Sequence, residues 1–369
     1  MAAPKPAGKP IRVLVVDDSA VVRQVMQQVL PREGDIEVTV AIDPLIAMQK
    51  MQVTRPDVIV LDLEMPRMDG LTFLRKVMAT DPIPVVVCSG LGARGSQAAL
   101  EALAEGAVEV VAKPQMEVRD FLHDSATMLM DAVRAAAVVV PRSRAGSLTS
   151  APALQARPSL VRPAAQQATT RIVAVAASTG GTEALTTLLT ALPADAPGLV
   201  IVQHMPAGFT AAFAERLNSI CRVEVKEAAT GDQVLDGRAL LARGNRHLTV
   251  LRAGSGYEVR VDEGPLVSRH RPSADVLFRS VAQAAGPNAL GIILTGMGAD
   301  GADGLLEMRQ AGAFTVAQDE ASCVVFGMPK EAIARGAVDQ VIGISGIATR
   351  LLRWATSDRG DAGHSNNRV

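Results

Sequence analysis

The sequence predicts an α/β protein of two domains, each a parallel sheet with helices on both faces, the second interrupted by a β-hairpin insertion. Three observations predict it. The chain is 48% hydrophobic but only 2% aromatic, so its core must come from Ala, Val, Leu, Ile and Met, which suits close helix–sheet packing. Short, near-continuous Val/Ile/Leu runs alternate with segments of helical length, the pattern of strands buried on both faces. Finally, the 369 residues exceed the about 100–200 of one domain. Between Ala137 and Arg171 the chain has no acidic residue, four prolines and five arginines, the composition of a spacer.

Taken in order, strands are expected at Ile11–Val16, Val38–Ile42, Val58–Leu61, Ile83–Cys88 and Val108–Ala112, with crossover helices such as Ala20–Leu30 and Leu71–Ala79. This gives a first domain over 10–130, a flexible linker over 131–170, a second domain over 171–356 and a disordered polar tail over 357–369. In the second domain, Arg171–Ala176, Leu199–Gln203 and Leu290–Thr295 repeat the strand pattern. The stretch from Arg222 to Val267 is rich in turn pairs, Gly231-Asp232, Asp236-Gly237 and Gly244-Asn245 among them, and reads as hairpins.

Composition also excludes. A net charge of −1 gives no bulk attraction to nucleic acid or an anionic membrane. Cys88, Cys221 and Cys323 are odd in number and far apart, so they read as reduced thiols rather than a disulfide frame or zinc site. No stretch reaches membrane-spanning length, and the expected location is cytoplasmic, without membrane insertion.

Asp17 and Asp18 close the first strand, and Asp62 closes the third. Ligands of open parallel sheets bind outside the carboxyl ends of the strands. Three carboxylates gathered there repel one another unless a hard cation such as Mg²⁺ bridges them. Ser89 and Lys113, closing the fourth and fifth strands, supply a hydroxyl and an ammonium suited to a phosphoryl group. These residues, with Met65-Pro66 and Asp69-Gly70, resemble the receiver domain of bacterial response regulators. The resemblance implies a flavodoxin-like (βα)₅ fold and transfer of a phosphoryl group from a histidine kinase to Asp62. It also implies Mg²⁺ held by Asp17, Asp18, Asp62 and the main-chain carbonyl of Glu64. Val110 stands where many receivers carry a switching aromatic, so ring rotation is not the switch here.

In the second domain, Ile172–Ala177 ends at Ser178, and Gly180-Gly181 follow where a helix can start, exposing the hydroxyl at a strand-to-helix turn. His204 ends the next strand and is placed to act as its general base. Asp300, in Thr295-Gly296-Met297-Gly298-Ala299-Asp300-Gly301, is placed to orient the imidazole, with Asp303 as the rival acid. With Gln203-His204-Met205-Pro206, Gly208-Phe209-Thr210, Arg271-Pro272-Ser273-Ala274-Asp275 and Phe326-Gly327-Met328-Pro329, these segments resemble the catalytic domain of chemotaxis protein-glutamate methylesterases. Two positions depart from that pattern: Ala176 replaces a glycine, and Leu241–His247 lacks the usual proline turn. His247 and His270 read as structural or rim residues.

The resemblance implies a phosphorylation-activated enzyme that hydrolyses glutamyl γ-methyl esters on methyl-accepting chemoreceptors and deamidates particular glutamines. Ser178, His204 and Asp300 would form the triad, Met297 would help bind the oxyanion, and hydrolysis would need no cofactor. Two other outputs compete: a DNA-binding domain, against which stands the lack of a basic recognition helix near the C-terminus, and a catalytically silent scaffold, against which stand all three triad residues.

Overall fold

The computed structural model describes residues 9–90, 92–113, 119–139 and 168–357. It divides into two compact units, one drawn chiefly from the N-terminal half of the chain and one from the C-terminal half. Most of the expected linker and all but the first residue of the expected tail lie outside the described residues.

The N-terminal unit alternates strand and helix: β1 (Ile11–Val16), α1 (Ala20–Val29), β2 (Ile36–Ala41), α2 (Pro44–Val53), β3 (Val58–Asp62), α3 (Gly70–Thr80), β4 (Val85–Ser89), α4 (Ala93–Ala104), β5 (Glu109–Ala112) and α5 (Arg119–Ala137). The sheet is parallel in the order β2-β1-β3-β4-β5, the flavodoxin-like arrangement. Local chemistry starts the helices where the sequence demands. Asp43 caps α2 by accepting from Ile46 N (2.9 Å), with Pro44 next in the first turn, and Asp69 caps α3 by accepting from Thr72 N (2.9 Å). Val13, Val15, Val58, Val60 and Val86 form the layer on which Leu129, Val133 and Ala136 of α5 pack. Helix α5 therefore runs past 130, where the linker was expected to begin. The alanine-rich stretch at its end is a strong helix former, and it buries Ala132, Val133, Ala135 and Ala136.

The C-terminal unit opens with β6 (Ile172–Ala177), α6 (Gly181–Thr190), β7 (Gly198–Gln203), α7 (Phe209–Ile220), β8 (Glu224–Glu227), β9 (Gln233–Val234), β10 (Arg238–Leu241), β11 (His247–Ala253) and β12 (Gly256–Asp262). It continues with α8 (Ala274–Ala285), β13 (Ala289–Ile293), α9 (Ala302–Gln310), β14 (Phe314–Gln318), α10 (Met328–Ala334), β15 (Gln340–Ile342) and α11 (Ile344–Thr356). Seven strands form a parallel sheet, β15-β14-β13-β6-β7-β10-β8, and β11, β12 and β9 form a separate antiparallel sheet. The Arg222–Val267 stretch is thus only partly hairpin: β8 and β10 join the main sheet in parallel. Its turn residues mark chain reversals, but the buried edge of β7 decides where β10 pairs, through Ala239–Leu241 against Leu199–Ile201.

Strand order reverses at β6, whose neighbours are β7 on one side and β13 on the other. That reversal opens a crevice at the carboxyl ends of the three strands. All six residues of β6 are completely buried, so the edge bearing Ser178 rests on a rigid core.

Candidate active site and phosphoacceptor site

Ser178 leaves β6 at the switch point. In register, Ala177 pairs with Gln203, and His204 N donates to Ala177 O (3.0 Å). Ser178 and His204 therefore leave neighbouring strands side by side, at the about 4.8 Å spacing of paired strands. The turn after Ser178 is tight. Gly181 N donates to Ser178 O (2.7 Å), and Gly180 takes φ +78°, a left-handed backbone that favours glycine. The amide of Gln203 also donates to Ser178 O (3.0 Å), locking the serine's main chain from the adjacent strand. On the other side, Ser178 N donates to Thr295 O (3.0 Å), and a side-chain carbon on Gly296 would lie 2.7 Å from Ser178 Cβ. Only glycine fits there.

His204 is 6% exposed, and its Nε2 lies 2.8 Å from Asp300 Oδ2. Asp300 is an acceptor for four donors. Oδ2 takes His204 Nε2 and Ala274 N (2.7 Å), while Oδ1 takes Ser273 Oγ (2.6 Å) and Asp275 N (3.2 Å). Three of these come from the N-terminus of α8, whose free N–H groups and dipole favour an anion. Burial alone would raise the Asp300 pKa. The hydrogen bond and charge of His204, with Ser273 and Ala274, outweigh burial and hold it down to about 2. A carboxylate fixed as an acceptor places the His204 proton on Nε2, leaving Nδ1 with its lone pair. That Nδ1 is buried and, among the described residues, has no hydrogen-bond partner, the condition of a general base awaiting a hydroxyl.

Asp303, the rival acid, points elsewhere. It pairs with Arg335 (2.7 Å) on an exposed face of α9. His247 is buried and structural: its Nε2 lies 2.8 Å from Pro265 O, and its Nδ1 accepts from Ser273 N (3.2 Å), steadying the serine that holds Asp300. The Leu241–His247 turn contributes as well, with Asn245 accepting from the Arg271 guanidinium (2.7 Å). The three thiols do not compete as nucleophiles. Burial pushes Cys221 and Cys323 up to about 12 and Cys88 higher still, so none is a thiolate at neutral pH.

In the N-terminal unit, oxygens of Asp17, Asp18 and Asp62 lie within 4.8 Å of one another. Lys113 Nζ sits 2.6 Å from Asp62 Oδ2 and 3.5 Å from Asp17 Oδ2. Ser89 is fully buried at the end of β4, its hydroxyl donating to Gly95 O (3.2 Å). Burial raises the pKa of both Asp17 and Asp62 against the lowering effect of Lys113. Burial also works against the Lys113 charge, but Asp62 and Asp17 outweigh it and raise its pKa.

Residues 173–351 match the CheB methylesterase family, and residues 13–123 match the response regulator receiver domain. Two chains of Anaeromyxobacter dehalogenans, named protein-glutamate methylesterase/protein-glutamine glutaminase 1 and 5, are 60% and 58% identical to this one. The first alignment covers 93% of this chain and 99% of that one, the second 95% and 98%. A Geobacter metallireducens chain named protein-glutamate methylesterase/protein-glutamine glutaminase 3 is 56% identical, over 94% of this chain and 99% of its own. The chain belongs to the CheB methylesterase family.

It is the family's form with a receiver domain ahead of the esterase domain. The acidic pocket of that receiver fits a divalent cation. Asp17 Oδ2 is buried and accepts no hydrogen bond among the described residues, with Lys113 Nζ 3.5 Å away, and hard carboxylate oxygens are the donors Mg²⁺ takes. The sign of the Asp17 shift gives a test. A carboxyl whose folded pKa is raised contributes stability below its unfolded value and loses it as pH rises through the folded one. At neutral pH the ionised Asp17 therefore destabilises the metal-free fold. Asp17→Asn is expected to raise the receiver's melting temperature without Mg²⁺, as read by calorimetry.

Proposed function

We propose that Ser178, His204 and Asp300 carry out the family's hydrolysis on glutamyl γ-methyl esters of methyl-accepting chemoreceptors. The observation that carries this reading is the buried His204–Asp300 pair with an unpartnered Nδ1, held beside Ser178 by adjacent strands. Ser178 Oγ attacks the ester carbonyl while His204 Nδ1 takes its proton. The tetrahedral oxyanion is stabilised by main-chain N–H groups, Met297 N among them, and by the N-terminus of α6 just beyond Ser178. As the C–O bond breaks, the imidazolium returns the proton to the leaving methoxide, giving methanol and an acyl-enzyme. Water then attacks the acyl group with His204 as base, releasing glutamate and free Ser178. A glutamine side chain follows the same course with ammonia leaving. Asp300 stays ionised throughout, holding the tautomer and stabilising the imidazolium.

The receiver controls this reaction through phosphorylation of Asp62 by a chemotaxis histidine kinase, in the cytoplasm. Asp17, Asp62, Asp18 and the Glu64 carbonyl would hold Mg²⁺, which supplies positive charge against the transferred phosphoryl oxygens. Ser89 and Lys113 would bind two of those oxygens. Asp62→Asn keeps the side chain's shape but removes the nucleophilic carboxylate. The variant is expected to keep basal methanol release and lose its increase by a small-molecule phosphodonor with Mg²⁺.

The reading is tested by incubating the full chain with methylated and glutamine-bearing receptor helices and measuring methanol and ammonia release. Release of both, lost together in His204→Gln, supports it. Release that survives His204→Gln at the native rate would remove His204 from the chemistry.

A further inference from the structure

Beyond β12 the chain makes a tight turn. Val267 N donates to His270 O (3.1 Å) and His270 N donates back to Val267 O (2.9 Å). The two residues between, Ser268 and Arg269, have φ of +52° and +66°, a left-handed region that non-glycine residues enter at a cost. Asp275 ties the turn in place. One of its oxygens accepts from Ser268 Oγ (3.3 Å), and the other accepts from Gly304 N (2.8 Å) on α9. A strained turn braced by a buried carboxylate is costly unless it places something. What it places is the imidazole of His270, stacked on that of His204 with centroids 3.9 Å apart and planes 14° from parallel.

We propose that His270 is a positioning residue for ester hydrolysis: its stacked ring holds the His204 imidazole in the plane that keeps Nε2 on Asp300 and leaves Nδ1 for Ser178. The proposal rests on the triad reading above and adds to it. Nearly parallel stacking blocks rotation of the His204 ring out of that plane, which Asp300 alone, bonded at one atom, does not prevent. His270 is itself fixed, its Nδ1 donating to Ser268 O (2.6 Å). Burial and the neighbouring His204 hold its pKa down to about 4, so at neutral pH it adds no charge against the imidazolium that forms beside it.

Two other roles fit the geometry poorly. Ring nitrogens of His204 and His270 and an Asp300 oxygen lie within 4.8 Å of one another. Yet two near-parallel rings cannot both direct in-plane lone pairs at one ion, and the Asp300 oxygens already accept four hydrogen bonds. Nor can a stacked ring accept a proton along the plane of its partner, which sets aside a relay.

The test compares native chain, His270→Ala and His270→Phe, all full length with phosphodonor and Mg²⁺, in methanol release from a methylated receptor fragment. His270→Ala is expected to lower kcat by about 10–100-fold with KM within about twofold, the signature of a misplaced catalytic group rather than lost substrate binding. His270→Phe keeps a flat ring without a titrating nitrogen and is expected to restore kcat to within about threefold of native. In parallel, ¹⁵N-histidine NMR reads the His204 tautomer without any substrate: a single Nε2–H form in the native and Phe chains, and a mixture in the Ala chain. Native-like kcat in His270→Ala, or His270→Phe as impaired as His270→Ala, overturns the proposal. No methanol from the native chain with the NMR pattern as expected would instead count against the esterase reading and leave the ring-holding role standing.

Discussion

Ser178→Ala is expected to lower methanol release by on the order of 10⁴–10⁶-fold, leaving only what the oxyanion donors and binding supply. The physical reason is that no other nucleophile stands ready. Its neighbours beyond the carboxyl ends of β7 and β13 are His204 and Asp300, the proposed base and acid, and the thiols remain protonated. The substitution removes one oxygen from a site whose backbone is held independently by Gly181 N, Gln203 and Thr295. The fold and the melting temperature should therefore be unchanged, and the loss should fall in kcat. Stopped assays over a range of receptor-fragment concentration, with calorimetry on the same sample, check both halves of this expectation.

Asp300→Asn is expected to cost about 10⁴-fold in kcat by reversing the tautomer of His204. An amide NH₂ facing Nε2 would donate to it, driving the histidine proton to Nδ1 and removing the lone pair that takes the Ser178 proton. The same change carries a stability signature with a definite sign. Asp300 has a folded pKa of about 2 against an ordinary 3.8, so its ionisation stabilises the fold above the unfolded value, and that contribution disappears as pH falls through about 2. The native chain should thus be more stable than Asp300→Asn at pH 7, with the gap closing as pH falls from about 4 toward 2. Urea unfolding of the two chains across that range measures it.

The strands were legible because buried parallel strands need no alternation; runs such as Val58–Leu61 and Ile172–Ala177 stand out against polar helix faces. Their ends were legible for the same reason, which is why Asp17, Asp62, Ser178 and His204 could be placed at one edge of each sheet. Asp300 is the acid the sequence favours, with Asp303 as its rival, but local pattern alone does not separate them. Both lie near a helix start, and only the approach of α8 to one of them, with Arg335 reaching the other, distinguishes them. Gln203, Ser273, Thr295 and His270 were missed as supporting residues for a related reason. Each acts on a partner distant in sequence: Gln203 on Ser178, Ser273 on Asp300, His270 on His204, and Thr295 on Thr179 O at 2.9 Å. No local spacing encodes such pairs. The Arg271–Asp275 segment is recognisable as a motif, yet its role, an anion-holding helix start aimed at Asp300, appears only once α8 is docked. Likewise, glycine-containing turn pairs told where the chain reverses around β9 and β10, not that β10 would pair in parallel with β7.

The most direct test of the central claim is methanol release from a methylated receptor fragment by the native chain and by Ser178→Ala, each with and without phosphodonor and Mg²⁺. Release by the native chain is expected to rise with phosphodonor, with none above background from Ser178→Ala under either condition. Release from Ser178→Ala at a rate comparable to native would contradict that claim.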